Sequence, residues 1–510
     1  MQHEGTVNVD GRTLTIEDVE AVARHNAPVT LDNDARDRVT VSRQVVEEIL
    51  ASGQVMYGIN TGFGKLAEVR IADDQLARLQ LNLVRSHCCG IGEPFSESAV
   101  RAMLLLRANV LATGNAGCRP VVVERVLDLL NHRVHPVVPS MGSVGASGDL
   151  APLAHLALVL VGEGEALYRG ERLAGGEALR RAGLEPLVLE AKEGLALING
   201  TQASAAVGAL ALVRARRLVD AADVVCALSL DALSATDAAF EPAVHAARPH
   251  PGQGKSAERL GRLLKGSQIR EAHRDCAKVQ DAYSLRCSPQ VHGATRDALE
   301  HSWKVLEIEL NSATDNPMVF PDGRVISGGN FHGAPIAAVF DYLAITLTDL
   351  ASISERRLAR LVDASLSSGL PAFLTENAGL HSGFMMVQVS AAALVSEAKT
   401  LAHPASVDSI PTSASQEDHV SMSAWGARKL GNIQDLLQKV LGMEYLGAAQ
   451  GVELRRPLRS SVVLEGVISV LREVVPHLEE DRFMAGDMDA AAKLVEGLAR
   501  TSHQGSLRGR

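Results

Sequence analysis

Between residues 336 and 362 apolar side chains return in alternating steps of four and three: Ile336, Phe340, Leu343, Leu347 and Leu350. That spacing puts them on one face of a helix. Leu358, Leu361 and Val362 continue the stripe beside the charged Glu355, Arg356, Arg357 and Arg360. Leu150, Leu153, Leu156 and Leu160 mark a second, shorter helix. From Gln202 onward long helical segments follow one another, which predicts a bundle whose spare apolar sides suit an oligomer interface. The start of the chain reads differently. Thr6-Val-Asn-Val9 and Arg12-Thr-Leu-Thr15 flank Asp10-Gly11, a pattern that predicts a hairpin, with a helix from about Ile16. The Gly- and charge-rich stretch 162–191, with a β-like piece at Leu187-Val-Leu189, predicts a surface excursion. No internal repeat or low-complexity tract is visible, and the polar tail 501–510 reads as frayed. The expected fold class is mainly α: a long-helix bundle over 201–510 with a small mixed α/β N-terminal region over 1–200, the two forming one continuous structural unit.

Composition changes this picture only in part. Alanine and leucine dominate and aromatics make up 3% of the chain, which favours helix. A net charge of −10 without any Lys/Arg block argues against nucleic acid as a partner. The opening Met1-Gln-His-Glu-Gly-Thr6 lacks the apolar run of a secretion signal. Apolar stretches such as 384–395, interrupted by Gln388 and Ser390, are too short to span a bilayer. A soluble cytoplasmic protein, with no membrane partner, is the expectation. Cys88, Cys89, Cys118, Cys226, Cys276 and Cys287 form no CxxC pair and read as reduced thiols. With no HExxH run or Cys/His cluster, no metal site is expected. Pro251-Gly-Gln-Gly-Lys-Ser256 suggests a phosphate loop, but Pro249 occupies the place of that motif's first glycine.

The chemistry lies in Gly142-Ser-Val-Gly-Ala-Ser-Gly-Asp-Leu-Ala-Pro-Leu-Ala-His155. If the amide nitrogen of Gly148 attacks the carbonyl carbon of Ala146, a five-membered ring closes. Loss of water from the ring and from Ser147 then leaves an exocyclic alkene conjugated to an imidazolone, the 4-methylidene-imidazol-5-one (MIO) group. Gly148 has no side chain to block the approach, Ser147 carries the hydroxyl that leaves, and Ala146 is small. By itself Ala-Ser-Gly is also an ordinary turn, and Ser147 or Asp149 ahead of Pro152 an ordinary helix start. The three glycines Gly142, Gly145 and Gly148, followed by an apolar helix whose positive end faces the loop, favour the ring.

This segment resembles the cofactor-forming segment of the MIO-dependent aromatic amino acid ammonia-lyases and aminomutases. The similarity extends from about Tyr57 to Glu417 and beyond, and it is strongest to members that deaminate histidine. Several runs carry it. Val55-Met-Tyr-Gly-Ile-Asn-Thr-Gly-Phe-Gly64, on its own either a tight turn or a mobile loop, matches the lid whose tyrosine, here Tyr57, is catalytic. Gln280-Asp-Ala-Tyr-Ser-Leu-Arg286 joins an amide, a phenol and a guanidinium. The residues alone leave a locally paired surface helix equally open. The resemblance makes Tyr283 the base for the β-proton, Arg286 the carboxylate anchor and Gln280 a substrate contact. It likewise implies Asn199 beside the electrophile, Asn316 in the polar frame of the site and Phe331 packed by the ring. His332 and His292 are read as structural.

Two runs bear on the substrate. His87, in Arg85-Ser-His87, stands where the family selects the substrate ring, and a histidine there suits an imidazole or a phenol. Gln416-Glu-Asp-His-Val-Ser-Met422 resembles the histidine enzymes, whereas tyrosine and phenylalanine enzymes usually carry Gln-Asp-Val, without the glutamate. Glu417 suits an imidazole N–H or a role as base, and Gln416 a substrate contact. The expected reaction is L-histidine to urocanate and ammonia, with tyrosine ammonia-lyase or tyrosine 2,3-aminomutase chemistry as the alternative. The resemblance further implies a homotetramer with sites assembled from three chains. Four departures from the family's pattern leave every catalytic group in place: Ala282 for proline, Ser415 and Ala398 for asparagine, and Cys88-Cys89 for alanines. A helical eliminase of the fumarase type is set aside because its Ser-Ser-x-Met-Pro-x-Lys loop is missing.

Overall fold

Thr15 opens the first helix with a capping box: its hydroxyl accepts from the Asp18 amide while the Asp18 carboxylate accepts from the Thr15 amide. The helix Ile16–His25 then carries the chain across, so Val7–Val9 pairs in parallel with Val29–Leu31. The expected hairpin does not form. Asp10 supplies the reason: its carboxylate accepts from the amides of Arg12 and Thr13 at 2.8 and 2.9 Å and from the Thr13 hydroxyl. Asp10-Gly11 is thereby committed to leading into a helix rather than reversing a strand, and parallel neighbours need just such a crossover.

The structure, a computed structural model, describes residues 5–62, 64, 68–274 and 279–502. Cys276 and most of the polar tail, both singled out above, lie outside the described residues. Two compact units emerge: one within Met1–Val213, Ser302–Asp341 and Pro404–Arg428, the other within Arg214–His301, Tyr342–His403 and Lys429–Arg510.

The first unit is centred on the helix Glu97–Ala112, buried at every position from Ala99 onward. Two of those positions are arginines, which need partners at that depth. Arg101 donates to the carbonyls of Val22 and Leu130 at 2.9 and 3.1 Å and to His135, while Arg107 reaches the carbonyl of Asn199 at 2.7 Å. The excursion 162–191 is more regular than its composition suggests. It adds the strands Glu165–Tyr168 and Glu171–Ala174 to Val134–Pro136, then the helix Gly175–Ala182. Leu187-Val-Leu189 is not a strand, because its inward leucines and outward Val188 have the alternation but no ladder partner among the described residues. Close helix packing also needs Gly208, where a Cβ would fall inside the Phe340 ring.

The second unit surrounds a buried charge network. Asp223 accepts from Arg259, from Arg296 and from His292 Nδ1, the last at 2.7 Å. Burial pushes the Asp223 carboxyl up, but the Arg296 charge, the hydrogen bond from His292 and the Arg259 charge outweigh it and hold it at about 2. His292 Nε2 accepts from Arg357 at 3.3 Å, so this histidine is neutral and structural, as read from the sequence. Arg357 in turn pairs with Glu444, which also takes the hydroxyls of Ser229 and Ser354.

The predicted stripe of the helix Ala334–Val362 is wholly buried, with Ile336, Phe340, Leu343, Leu347 and Leu350 each 0% exposed. By length and composition this helix is able to cross a membrane, which corrects the expectation that no apolar segment is long enough. Burial of 61% of its most apolar window is the packing of a core helix. The fold is mainly α, as the periodicity predicts.

Candidate active site

The loop before the helix Leu150–Leu160 is walled in. Gly148 sits at φ +75°, and a Cβ there would fall on the Gly200 carbonyl oxygen, so only glycine fits. The Ser421 hydroxyl donates to the Gly145 carbonyl at 2.9 Å and the Met422 amide to the Val144 carbonyl at 2.8 Å. Asp149, expected as an ordinary helix start, does not cap the helix that follows it. Its buried carboxylate accepts instead from the amide and hydroxyl of Ser204, at 2.7 and 2.8 Å, in the first turn of the helix Gln202–Ala232. Burial raises its pKa. Two helix N-termini therefore begin beside Ala146-Ser147-Gly148, where their partial positive charge favours negative charge on the loop.

A cavity of about 820 Å³ opens beside these residues, within the range of small-molecule sites. The Ser147 hydroxyl donates to one oxygen of Glu417 at 2.7 Å, and the other oxygen accepts from the Thr412 hydroxyl at 2.8 Å. Backbone bonds of 2.8 and 3.3 Å between Thr412 and Glu417 fix that turn. Asn199 closes the short helix Glu193–Ile198 and donates from Nδ2 to the Ser147 carbonyl at 2.9 Å, while its Oδ1 is buried without a partner. Asn316 Oδ1 accepts from the Gly328 amide at 2.7 Å and the Ser327 hydroxyl at 3.1 Å. His87 Nδ1 faces the Leu83 carbonyl at 2.8 Å. A carbonyl only accepts, so Nδ1 carries a proton, and in the neutral ring Nε2 is left as an acceptor. The Tyr57 hydroxyl accepts from the Gly64 amide at 3.3 Å. Leu83, Leu195, Ile198 and Phe331 supply apolar wall.

Of the residues singled out from sequence, Tyr57, His87, Ala146, Ser147, Asn199, Asn316, Phe331, Gln416 and Glu417 line this cavity. Gln280, Tyr283 and Arg286 do not. They belong to the second unit, where Tyr283 is 70% exposed. The Arg286 guanidinium lies over the Tyr283 ring at 4.7 Å, and its Nε donates to the Asp281 carbonyl at 2.9 Å. No arginine is among the residues lining the cavity of this single chain. His332, read as structural, does line it, together with His419, Asp418 and Ser413. His332 Nε2 donates to the His419 carbonyl at 3.1 Å and the two rings stack. The available signal was adjacency: each histidine sits within two residues of a predicted contact, Phe331 or Glu417.

Residues 14–473 match the aromatic amino acid lyase family. The chain is 53% identical to the histidine ammonia-lyase of Koribacter versatilis over 502 residues, covering 96% of this chain and 97% of the relative. It is also 53% identical to that of Myxococcus xanthus, covering 96% of each. Among solved structures, the histidine ammonia-lyase from Trypanosoma cruzi superposes with a TM-score of 0.90 at 46% identity, covering 98% of this chain and 95% of the other. The tyrosine aminomutase from Streptomyces globisporus gives 0.93 at 38% identity, covering 99% of each.

Proposed function

The chain belongs to the aromatic amino acid lyase family, and from that premise we propose that it eliminates ammonia from L-histidine to give urocanate. In that reaction the Cβ–H and Cα–N bonds break, the C–H pair becomes the double bond, and the amine leaves with the C–N pair. The observation that carries histidine as substrate is the Glu417 carboxylate, fixed by Thr412 and sharing one cavity with the Nε2 acceptor of His87. The single N–H of a neutral imidazole answers one of these acceptors, and an imidazolium answers both. A phenyl ring answers neither and leaves one oxygen of the part-buried Glu417 carboxylate without a donor from the substrate.

An MIO group formed from Ala146-Ser147-Gly148 is part of this reading, and the residues fit it. Gly148 has space for no side chain, Ala146 is 5% exposed, and the Asn199 amide holds the Ser147 carbonyl. Such a group supplies an electrophile that draws electrons from the substrate and lets the amine depart. The other roles fall to ordinary side chains. The unpaired Oδ1 of Asn199 suits the substrate ammonium, and Asn316 keeps the loop 327–328 in place. Tyr57, on the Gly-punctuated loop, is positioned for proton transfer. In a homotetramer, Tyr283 of a neighbouring subunit takes the β-proton and Arg286 grips the carboxylate; the exposure of Tyr283 supports this. The cytoplasm belongs to the same proposal.

Purified protein incubated separately with L-histidine and L-tyrosine tests the reading through ammonia release and the ultraviolet absorbance of the product acid. Urocanate from histidine alone is expected. Coumarate or β-tyrosine overturns the substrate, and silence from both overturns the ring.

A further inference from the structure

Arg107 is an unusual side chain to find beneath this site. It is 2% exposed in the middle of the helix Glu97–Ala112, where its neighbours are apolar. Only its Nη1 is matched, by the Asn199 carbonyl at 2.7 Å; Nε and Nη2 are buried without a hydrogen-bond partner. The carboxylate that acts on it electrostatically, Asp315, is already held by Lys192 at 2.9 Å. Burial lowers the guanidinium to about 10, which leaves it charged at neutral pH. A desolvated charge with one hydrogen bond is a poor stabiliser of a fold. Its single contact, however, falls on a peptide of particular consequence.

The segment Asn199–Gly200, whose linking carbonyl Arg107 holds, touches the loop at two points. On one side Asn199 Nδ2 holds the Ser147 carbonyl at 2.9 Å. On the other, the Gly200 carbonyl accepts from the Asp149 amide at 2.7 Å and lies against Gly148, with which Gly200 forms a bridge. Closing a ring between the Gly148 nitrogen and the Ala146 carbonyl carbon requires Gly148 to be pushed toward Ala146 and kept there. The Gly200 carbonyl is the wall behind it. A guanidinium–carbonyl bond is charge-assisted and stronger than a neutral one, and made to the Asn199 carbonyl it anchors the peptide that leads directly into that wall.

We infer that Arg107 is a positioning residue for formation of the internal electrophile, holding the segment Asn199–Gly200 against the loop while the ring closes. This rests on the reading that Ala146-Ser147-Gly148 cyclises. The role lies in maturation and not in turnover, so a variant that does mature should work normally.

The test uses the full-length protein with Arg107→Gln, and with Arg107→Lys, whose ammonium is one bond shorter and falls short of the carbonyl. Ring content is read from the near-ultraviolet difference spectrum against Ser147→Ala and from the two-water mass deficit of the intact chain; circular dichroism and melting temperature report the fold. Folded Arg107→Gln is expected to carry several-fold less ring than the parent, with activity lost in proportion and activity per ring unchanged. Full ring content in folded Arg107→Gln overturns the inference. So does ring loss accompanied by an equal fall in activity per ring. If Arg107→Gln does not fold, Arg107→Lys decides by the same readouts. If the parent itself matches Ser147→Ala in spectrum and mass, the cyclisation reading fails before Arg107 is tested.

Discussion

Replacing Glu417 by glutamine keeps the side chain's size and removes its charge. In the structure one carboxylate oxygen takes the Thr412 hydroxyl at 2.8 Å and the other lies 2.7 Å from Ser147, so the group is positioned before any substrate arrives. A glutamine can still accept from one of these hydroxyls, which preserves the turn. What disappears is the charged acceptor for the imidazole N–H. Hydrogen bonds to charged groups contribute about 1.5–3 kcal/mol, a factor of roughly 10 to 150 in kcat/KM for histidine. If Glu417 also moves a proton, kcat falls by a further ~100-fold or more. The assay follows urocanate absorbance across substrate concentrations, with ring content checked by the difference spectrum against Ser147→Ala. Full ring content together with kcat/KM within about threefold of the parent would refute the assignment of Glu417 to the imidazole.

Three further outcomes are expected. His87→Phe removes the Nε2 acceptor, and a neutral hydrogen bond of about 0.5–1.5 kcal/mol predicts a KM for histidine raised by roughly 2- to 10-fold; an unchanged KM counts against the contact. Lys192→Met leaves Asp315 buried and unpaired, which costs about 3–5 kcal/mol of stability and should shorten the thermal-inactivation half-life sharply, while an unaltered half-life argues that the pair is neutral. Burial pushes the Asp231 carboxyl up from 3.8 to about 6, against the lowering effect of the Ser460 and Ser267 hydroxyls. The folded protein therefore binds that proton more tightly than the unfolded chain between these values, and stability falls as pH rises through the window. Asp231→Asn should accordingly raise the melting temperature more at about pH 8 than at about pH 5; equal shifts contradict the assignment.

The long helices were legible because a 3.6-residue period survives in Ile336 to Leu350 whatever surrounds it. The hairpin was misread because Asp10-Gly11 serves two geometries, and the choice is made by hydrogen bonds from Arg12 and Thr13 that periodicity does not register. Asp149 shows the same limit: its residue type says cap, but only the fold reveals that it caps a helix starting far along the chain, at Gln202. At the cavity, Ser147 was named by the chemistry of its own tripeptide, whereas Asn199, His87 and Glu417, which line the same cavity, were named by the family resemblance. Tyr283 and Arg286, named by the same resemblance, stand in the second unit and are not among the residues lining the cavity. Arg107 was invisible, since one arginine in an apolar helix carries no motif.

The charge network of the second unit has a consequence for biosynthesis. Its members, Asp223, Arg259, His292, Arg296, Arg357 and Glu444, are spread along the chain and meet only when all are present. A ribosome produces Asp223 and its arginines early and Glu444 late. Until then every nascent chain that tries to close this core buries Arg357 without its counter-ion. Closing the second unit with every one of these charges matched therefore requires the chain to have passed Glu444.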